Sequence, residues 1–258
     1  MQHANLEWRN NVPYSLDFND VYFSTDDGLQ ETQFVFIDKN NLIERFKKRE
    51  TLSVTSTFTI IETGFGTGLN FLAIANCWLE FAPVNATLQF ISIEKSPLHV
   101  TDLARAQALW SQFSAISQEL IQQYVQLKPN CNHFNMAVGR IKLSLWACDV
   151  KKALPAIDQT ANAWVLDGFA PAKNQDMWSQ KVFEQIARLS SVNTSFATFT
   201  SAGYVRRGLQ AAGFNCIKHK GYGKKREMLS GIFTDKVFNN NALATSLITH
   251  NQLESKLL

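Results

Sequence analysis

From Phe58 onward the chain alternates short apolar runs with stretches of helical periodicity. Phe58-Thr-Ile-Ile-Glu62 reads as a strand, and Phe71, Ile74, Trp78 and Phe81 recur at helical spacing after it. Leu88 to Ile93 is the next strand. Pro97 opens a long helical stretch that carries Leu103, Ala106, Trp110 and Phe113 on one face and continues through Leu120, Tyr124 and Leu127. Arg140 to Ala147 and Ala163 to Leu166 read as strands, Asp176 to Leu189 as a helix, and Ser195 to Phe199 as a strand. Tyr204 to Ala212 is a helix stopped by Gly213, and Phe214 to Lys218 and Met228 to Phe233 form a closing strand pair. The first 40 residues read differently. Val21, Phe23, Phe34 and Phe36 alternate with polar neighbours around Asp26-Asp27-Gly28, which fits a β-hairpin or two edge strands.

Alternating βα units argue for a parallel sheet with helices on both faces. The nine residues between Lys218 and Met228 suit an antiparallel hairpin and are too few for a crossover. A Rossmann-like α/β sheet that closes on an antiparallel strand resembles the class I S-adenosylmethionine-dependent methyltransferases. In such sheets ligands bind at the carboxyl ends of the strands.

Chemistry concentrates at those ends. Glu62-Thr-Gly64-Phe-Gly66-Thr-Gly68 joins the first strand of this series to its helix. Leu69 stands where a dinucleotide fingerprint needs its last glycine, and no Gly-Lys-Ser/Thr follows, so neither that fingerprint nor a P-loop is present. The E/D-x-G-x-G-x-G pattern resembles a methyl-donor loop. Glu94, at the end of the next strand, can accept both hydroxyl hydrogens of a ribose. Asp149, after the strand that follows, can take an adenine amino group. Each of these acids can equally be an exposed carboxylate near a helix start.

Asp167 leaves the apolar strand Ala163-Trp-Val-Leu166 and is followed by Gly168-Phe169-Ala170-Pro171. An amino-directed methyltransferase keeps an acid or amide, an aromatic and a proline at this place. Asp167 can accept an N–H bond, orient the lone pair and take a proton, while Phe169 can stack on a flat base. The alternative is that Asp167 caps a turn and Phe169 belongs to the core.

Composition narrows the class. With 258 residues, 45% of them hydrophobic and 18% charged, the chain can bury its own core and is not a disordered segment. No run of about 18 apolar residues implies a membrane span, and Met1 to Asn10 lacks a signal-peptide pattern. The four cysteines form no C-x-x-C pair and the five histidines are scattered, so no metal site is expected and the thiols read as reduced, in a cytoplasmic protein. Charge is polarised. Seven acids and one base lie in Met1 to Asp38, and seven bases with no acid lie in Arg206 to Arg226. The basic stretch suits an anionic partner at one face, or simply a solvated surface.

Together these stretches resemble the tRNA 5-aminomethyl-2-thiouridine methyltransferase family. Asp20-Val-Tyr-Phe-Ser24 with Glu31-Thr32, the loop Glu62 to Phe71, Asp167 to Asn174 with Met177-Trp178, Thr198 to Gly203, Val205 to Gln210 and Lys224 to Met228 carry the resemblance. It implies transfer of a methyl group from S-adenosylmethionine to the exocyclic amine of 5-aminomethyl-2-thiouridine at the tRNA wobble position. The donor site maps to Glu62, Gly64, Gly66, Gly68, Asn70, Glu94 and Asp149, and Asp167 is the catalytic residue against the amine. Tyr22, Phe23 and Glu31, with Phe169 and Pro171, are expected around the acceptor base. The anticodon stem–loop would be splayed open, with Arg206, Arg207, Lys224, Lys225 and Arg226 on its phosphates.

The expected organisation is an N-terminal β segment over 1–50 packed on the catalytic domain, a methyltransferase domain over 51–234 with a helical insertion at about 97–140, and a tail or linker over 235–258. Bifunctional members of the family carry an FAD-dependent oxidase domain, fused or acting as a partner. No second glycine fingerprint is present here, so no FAD is expected to bind. The alternatives are a small-molecule N-methyltransferase and a non-catalytic tRNA-binding protein on the same fold. An NAD-dependent oxidoreductase is disfavoured by the glycine spacing.

Overall fold

The structure, a computed structural model, describes residues 1–24, 27–48 and 56–234. The boundary expected at residue 50 and the tail expected over 235–258 lie outside them. Among the described residues no helix is long and apolar enough to cross a membrane.

Eight strands form the central sheet: β4 (Thr57–Thr63), β5 (Thr87–Ile93), β6 (Asn130–Met136), β7 (Ile141–Ala147), β8 (Ala161–Leu166), β9 (Ser190–Thr198), β10 (Phe214–Lys220) and β11 (Glu227–Phe233). Their spatial order is β10-β11-β9-β8-β4-β5-β7-β6. The five from β7 across to β9 run parallel, whereas β6, β10 and β11 enter through antiparallel pairings. The order reverses at β4, which has β5 on one side and β8 on the other. Such a reversal opens a crevice beyond the strand ends.

Successive residues of the inner strands feed opposite faces, as strand geometry requires. Ile60, Phe90 and Val165 join one core with α3 (Leu69–Phe81). Ile61, Ile91 and Trp164 join another, with α6 (Val150–Ala153), α7 (Gln180–Arg188) and α8 (Gly203–Ala211). Trp78 of α3 is fully buried against Phe46, with ring centroids 4.9 Å apart, and Phe46 meets Phe58 at 5.2 Å.

The amino-terminal residues correct the hairpin expected there. A small sheet of β1 (Leu6–Arg9), β2 (Val12–Ser15) and β3 (Asp20–Val21) ends before Phe23. Gly28–Thr32 is α1, the chain continues as a π-helical stretch over Gln33–Asp38, and Leu42–Lys47 is α2. Asp27 explains the start: its side chain accepts from the Gln30 N–H, a cap that the alternation of aromatic residues concealed. Val35, Phe36 and Ile37 are all buried, which a two-residue period cannot achieve with one face in water.

The helices are locked to the sheet by polar bonds. Arg45 donates to Ser195 Oγ (2.7 Å) and to the Asn162 carbonyl (2.8 Å), and Asn40 donates to the Trp164 carbonyl (3.1 Å). The small sheet rests on α4 (Val100–Gln107), where Trp8 Nε1 donates to Asp102 Oδ1 at 2.8 Å. The insertion is not one helical stretch. It breaks after Gln107, resumes as α5 (Ser114–Tyr124), and then supplies the edge strand β6.

Candidate active site

A cavity of about 420 Å³ opens beyond β4, β5 and β8, at the reversal point of the sheet. Gly64, Gly66, Asn70, Glu94, Asp149 and Asp167 line it from the sheet side. Tyr22, Phe23, Glu31 and Thr32 line it from the amino-terminal segment, and Tyr222, Lys224 and Lys225 from the loop between β10 and β11.

The glycine loop is shaped by close packing. Gly64, Gly66 and Gly68 all have positive φ. A Cβ on Gly64 would stand 2.9 Å from Gly168 Cα, and one on Gly66 would stand 3.3 Å from the Tyr22 ring. Bare backbone therefore reaches the cavity floor. Glu94 holds this loop open: one carboxylate oxygen accepts the Gly66 N–H and the other the Ser96 N–H, both at 2.9 Å. A carboxylate has about four acceptor positions, so acceptor capacity remains for a ligand. Burial pushes the Glu94 carboxyl up and these backbone bonds pull it down, leaving it above its ordinary value. Asp149 caps α6 through the Lys151 N–H (2.9 Å) and pairs with Lys95 Nζ (3.2 Å). Partial burial raises its carboxyl, but these two partners hold it below its ordinary value.

Asp167 leaves β8 at the cavity wall. Oδ2 accepts from Asn70 Nδ2 at 2.7 Å and Oδ1 from the Gly168 N–H at 2.8 Å. Burial pushes its carboxyl up to about 6; the Asn70 and Gly168 bonds and the Lys225 charge oppose the shift, and Glu31 adds to it. Such a value suits a group that accepts a proton near neutral pH. Gly168 permits the turn. Its φ is +125°, and a Cβ there would stand 2.5 Å from Met177 Sδ.

The loop after Asp167 is held by the amino-terminal sheet. Lys173 Nζ lies 3.3 Å from Asp20 Oδ1 and donates to the Asn19 carbonyl at 2.6 Å. Phe169 stacks on Phe18 at 4.4 Å and meets Tyr22 edge-on at 5.2 Å. One face of Phe169 is thus covered by Phe18. Phe23 lies edge-on to Trp110 at 5.0 Å and joins this wall to the insertion.

Several expected site residues stand away from the cavity. Glu62 is fully buried beneath it, with Oε1 accepting from Asn70 (3.1 Å) and Oε2 from Ser92 Oγ (2.5 Å). Burial holds its carboxyl well above the ordinary value, and it does not line the cavity itself. Gly68 packs against Phe65 and Gln107. Pro171 is buried, and neither it nor Arg206, Arg207 or Arg226 lines the cavity. Lys225 lines it, but its Nζ is paired with Glu31 at 2.6 Å and sits 4.5 Å from the Phe199 ring centre. Sequence reasoning missed Phe18, Thr32 and Gln107. Gln107 is buried and donates to the Thr67 carbonyl at 3.0 Å, bracing the glycine loop from the insertion.

Comparison with known proteins follows the same lines. Residues 111–234 match the model of a family described as S-adenosyl-L-methionine-dependent methyltransferase. The chain is 49% identical over 231 residues to the tRNA 5-methylaminomethyl-2-thiouridine biosynthesis bifunctional protein of Methylobacillus flagellatus, covering 90% of this chain and 35% of that protein. The corresponding protein of Chromobacterium violaceum is 51% identical over 229 residues, covering 89% of this chain and 34% of its own length. Over 90% of its length the chain is thus similar to these proteins, and over residues 111–234 to S-adenosyl-L-methionine-dependent methyltransferases. It spans about a third of the length of these curated relatives. The crystal structure of MNMC2 from Aquifex aeolicus shares its fold, with a TM-score of 0.71 at 19% identity over 92% of this chain and 72% of that one.

The residues of this methyltransferase fit its donor. An adenosine needs hydrogen-bond acceptors for its hydroxyls and amino group, and Glu94 and Asp149 stand on the cavity wall at the ends of adjacent strands, beside bare glycine backbone. When bound, S-adenosylmethionine supplies an electrophilic methyl group on a sulfonium.

Proposed function

We propose that this methyltransferase methylates the exocyclic amine of 5-aminomethyl-2-thiouridine at the wobble position of tRNA, giving 5-methylaminomethyl-2-thiouridine. The observation that carries the reading is Asp167, a carboxyl pushed up to about 6 on the cavity wall with both oxygens already oriented by Asn70 and Gly168. A neutral amine donates an N–H to this carboxylate, which aims the nitrogen lone pair and takes the proton that the amine sheds. Tyr22, Phe23, Phe169 and Glu31 line the same cavity and offer an aromatic and acidic wall to a base. A base can enter such a cavity only when flipped out of its stack. The names of the curated relatives point to the same modification.

The tRNA backbone then meets the exposed bases Arg207, Lys218, Lys220 and Arg226 outside the cavity and Lys224 on its wall. Contact with four phosphates gives a log–log salt slope of roughly −3 to −4. The partner is the anticodon stem–loop, in the cytoplasm, and an FAD-dependent oxidase domain, fused or separate, supplies the aminomethyl substrate.

The test is methyl transfer from labelled S-adenosylmethionine to tRNA bearing either 5-aminomethyl-2-thiouridine or its carboxymethyl form. Label is expected in the first alone. Label in neither, with the donor bound, rejects this substrate. Salt-insensitive label in a free small amine favours the small-molecule alternative.

A further inference from the structure

Asn70 stands where the first turn of α3 meets the ends of β4 and β8, and its side chain touches three elements at once. Its Nδ2 donates both hydrogens, one to Glu62 Oε1 at 3.1 Å and one to Asp167 Oδ2 at 2.7 Å. Its Oδ1 accepts from Thr32 Oγ1 of α1 at 2.8 Å. Asn70 and Thr32 are both buried, 7% and 4% exposed. This arrangement has one orientation. Two carboxyl groups on one side want donors, and a hydroxyl on the other side wants an acceptor. Turning the amide over would set its carbonyl against both carboxyls and leave buried groups unpaired, a costly state.

We propose that Asn70, oriented by Thr32, is a positioning residue for Asp167, keeping that carboxylate aimed and ionised beside the acceptor amine. The inference rests on the reading of Asp167 as the group that faces the amine. It separates two neighbouring acids. Burial pushes both carboxyls up, Glu62 well above its ordinary value with no cation beside it and Asp167 to about 6, where the Asn70 and Gly168 donors and the Lys225 charge oppose the rise. Environments that push two carboxyls apart assign them different work. The charged groups facing Asp167 are Glu62 of β4, Glu31 of α1 and Lys225 of the β10–β11 loop. Lys225 and Glu31 pair with each other and oppose each other's influence, which leaves the Asn70 amide and the Gly168 N–H as the donors that hold the carboxylate. Thr32 has a second consequence. It makes the geometry of Asp167 depend on the seating of the amino-terminal helix.

Carbon-13 NMR of carboxyl-labelled aspartate reads this directly in the full chain, with the Asp167 signal assigned by its loss in Asp167→Asn. In Asn70→Ser, whose hydroxyl is too short to reach, the Asp167 titration midpoint should rise by about one pH unit, a tenfold change in its ionisation constant. Thr32→Val should move it in the same direction by less, and Thr32→Ser should restore the wild-type midpoint. The acid limb of kcat against pH should move with the NMR midpoint. An unmoved midpoint in folded Asn70→Ser overturns the proposal, as does a loss of donor affinity with Asp167 unmoved. If Asn70→Ser does not fold, Thr32→Val decides, and an unmoved midpoint there overturns it. Wild-type protein that leaves aminomethyl tRNA unmethylated, with the midpoints shifting as stated, rejects the substrate reading and supports the positioning role.

Discussion

Lys225 Nζ lies 2.6 Å from Glu31 Oε1, joining residues 194 positions apart. The bond ties the β10–β11 loop to α1 across the mouth of the cavity. Lys225→Met removes this tie and leaves Glu31 as a nearly buried acid without its cation. The expected result is a rise of about three- to tenfold in KM for tRNA, about 0.7–1.4 kcal/mol in apparent binding. S-adenosylmethionine affinity should be unchanged in calorimetry. An unchanged KM would show that the tie does not shape the acceptor wall.

Lys224 belongs to the same loop and lines the same cavity. Its exposed position suits a phosphate contact at the rim. Lys224→Glu should weaken tRNA binding and make the log–log salt slope shallower by about 0.7–0.9 for one lost contact. Filter binding at several salt concentrations, run beside donor calorimetry, separates this from a general loss of fold.

Asp167→Asn keeps the shape of the side chain and removes the proton acceptor. Turnover should fall by about 10²- to 10⁴-fold with donor affinity retained. In the wild type, kcat should fall as pH drops through about 6, the value to which burial pushes this carboxyl. Near-normal turnover by the variant would assign Asp167 to structure.

Glu62 predicts a stability effect of definite sign. Its folded pKa is raised above the ordinary 4.5, so over the range above that value the folded state holds a proton that the unfolded chain has released. Stability then falls as pH rises through that window. Glu62→Gln removes this dependence while keeping an acceptor for Asn70 and a polar partner for Ser92. Its melting temperature should gain on the wild type between pH 5 and pH 8, by about 2–4 °C for each kcal/mol recovered. A wild-type advantage that grows with pH would mean that the buried acid is better tolerated charged.

What could be read from the sequence follows from range. Ile60, Ile91 and Val165 sit in apolar runs bounded by loop residues, so β4, β5 and β8 declare themselves locally. The glycine loop and the acids Glu94, Asp149 and Asp167 lie at the ends of such runs, which is why their grouping at the cavity was legible. Strand β6 was not. Its sequence Asn-Cys-Asn-His-Phe-Asn-Met buries only Phe134 and Met136, and its pairing to β7 supplies the order that composition does not. The helical turn at Gly28 depends on one cap from Asp27 and was outweighed by an accidental alternation of aromatics. The contact between Asn70 and Asp167 spans 97 residues and that between Thr32 and Asn70 spans 38. Spacing along the chain carries no trace of either. Charge was misleading in a similar way: Lys225 belongs to a basic stretch by sequence and to an acidic partner by structure.

Arg45 reaches Ser195 across 150 residues, and Asn40 accepts from the same hydroxyl. On a ribosome adding about 5–20 residues per second, the groups that satisfy Arg45 and Asn40 are made roughly 8–30 s after them. For that interval the amino-terminal helices have no finished surface to rest on. Their apolar face, with Phe36, Leu42 and Phe46, is then open to chaperones and to neighbouring nascent chains. The amino-terminal residues that line the cavity are therefore synthesised before the strand that anchors them and find their places only after it.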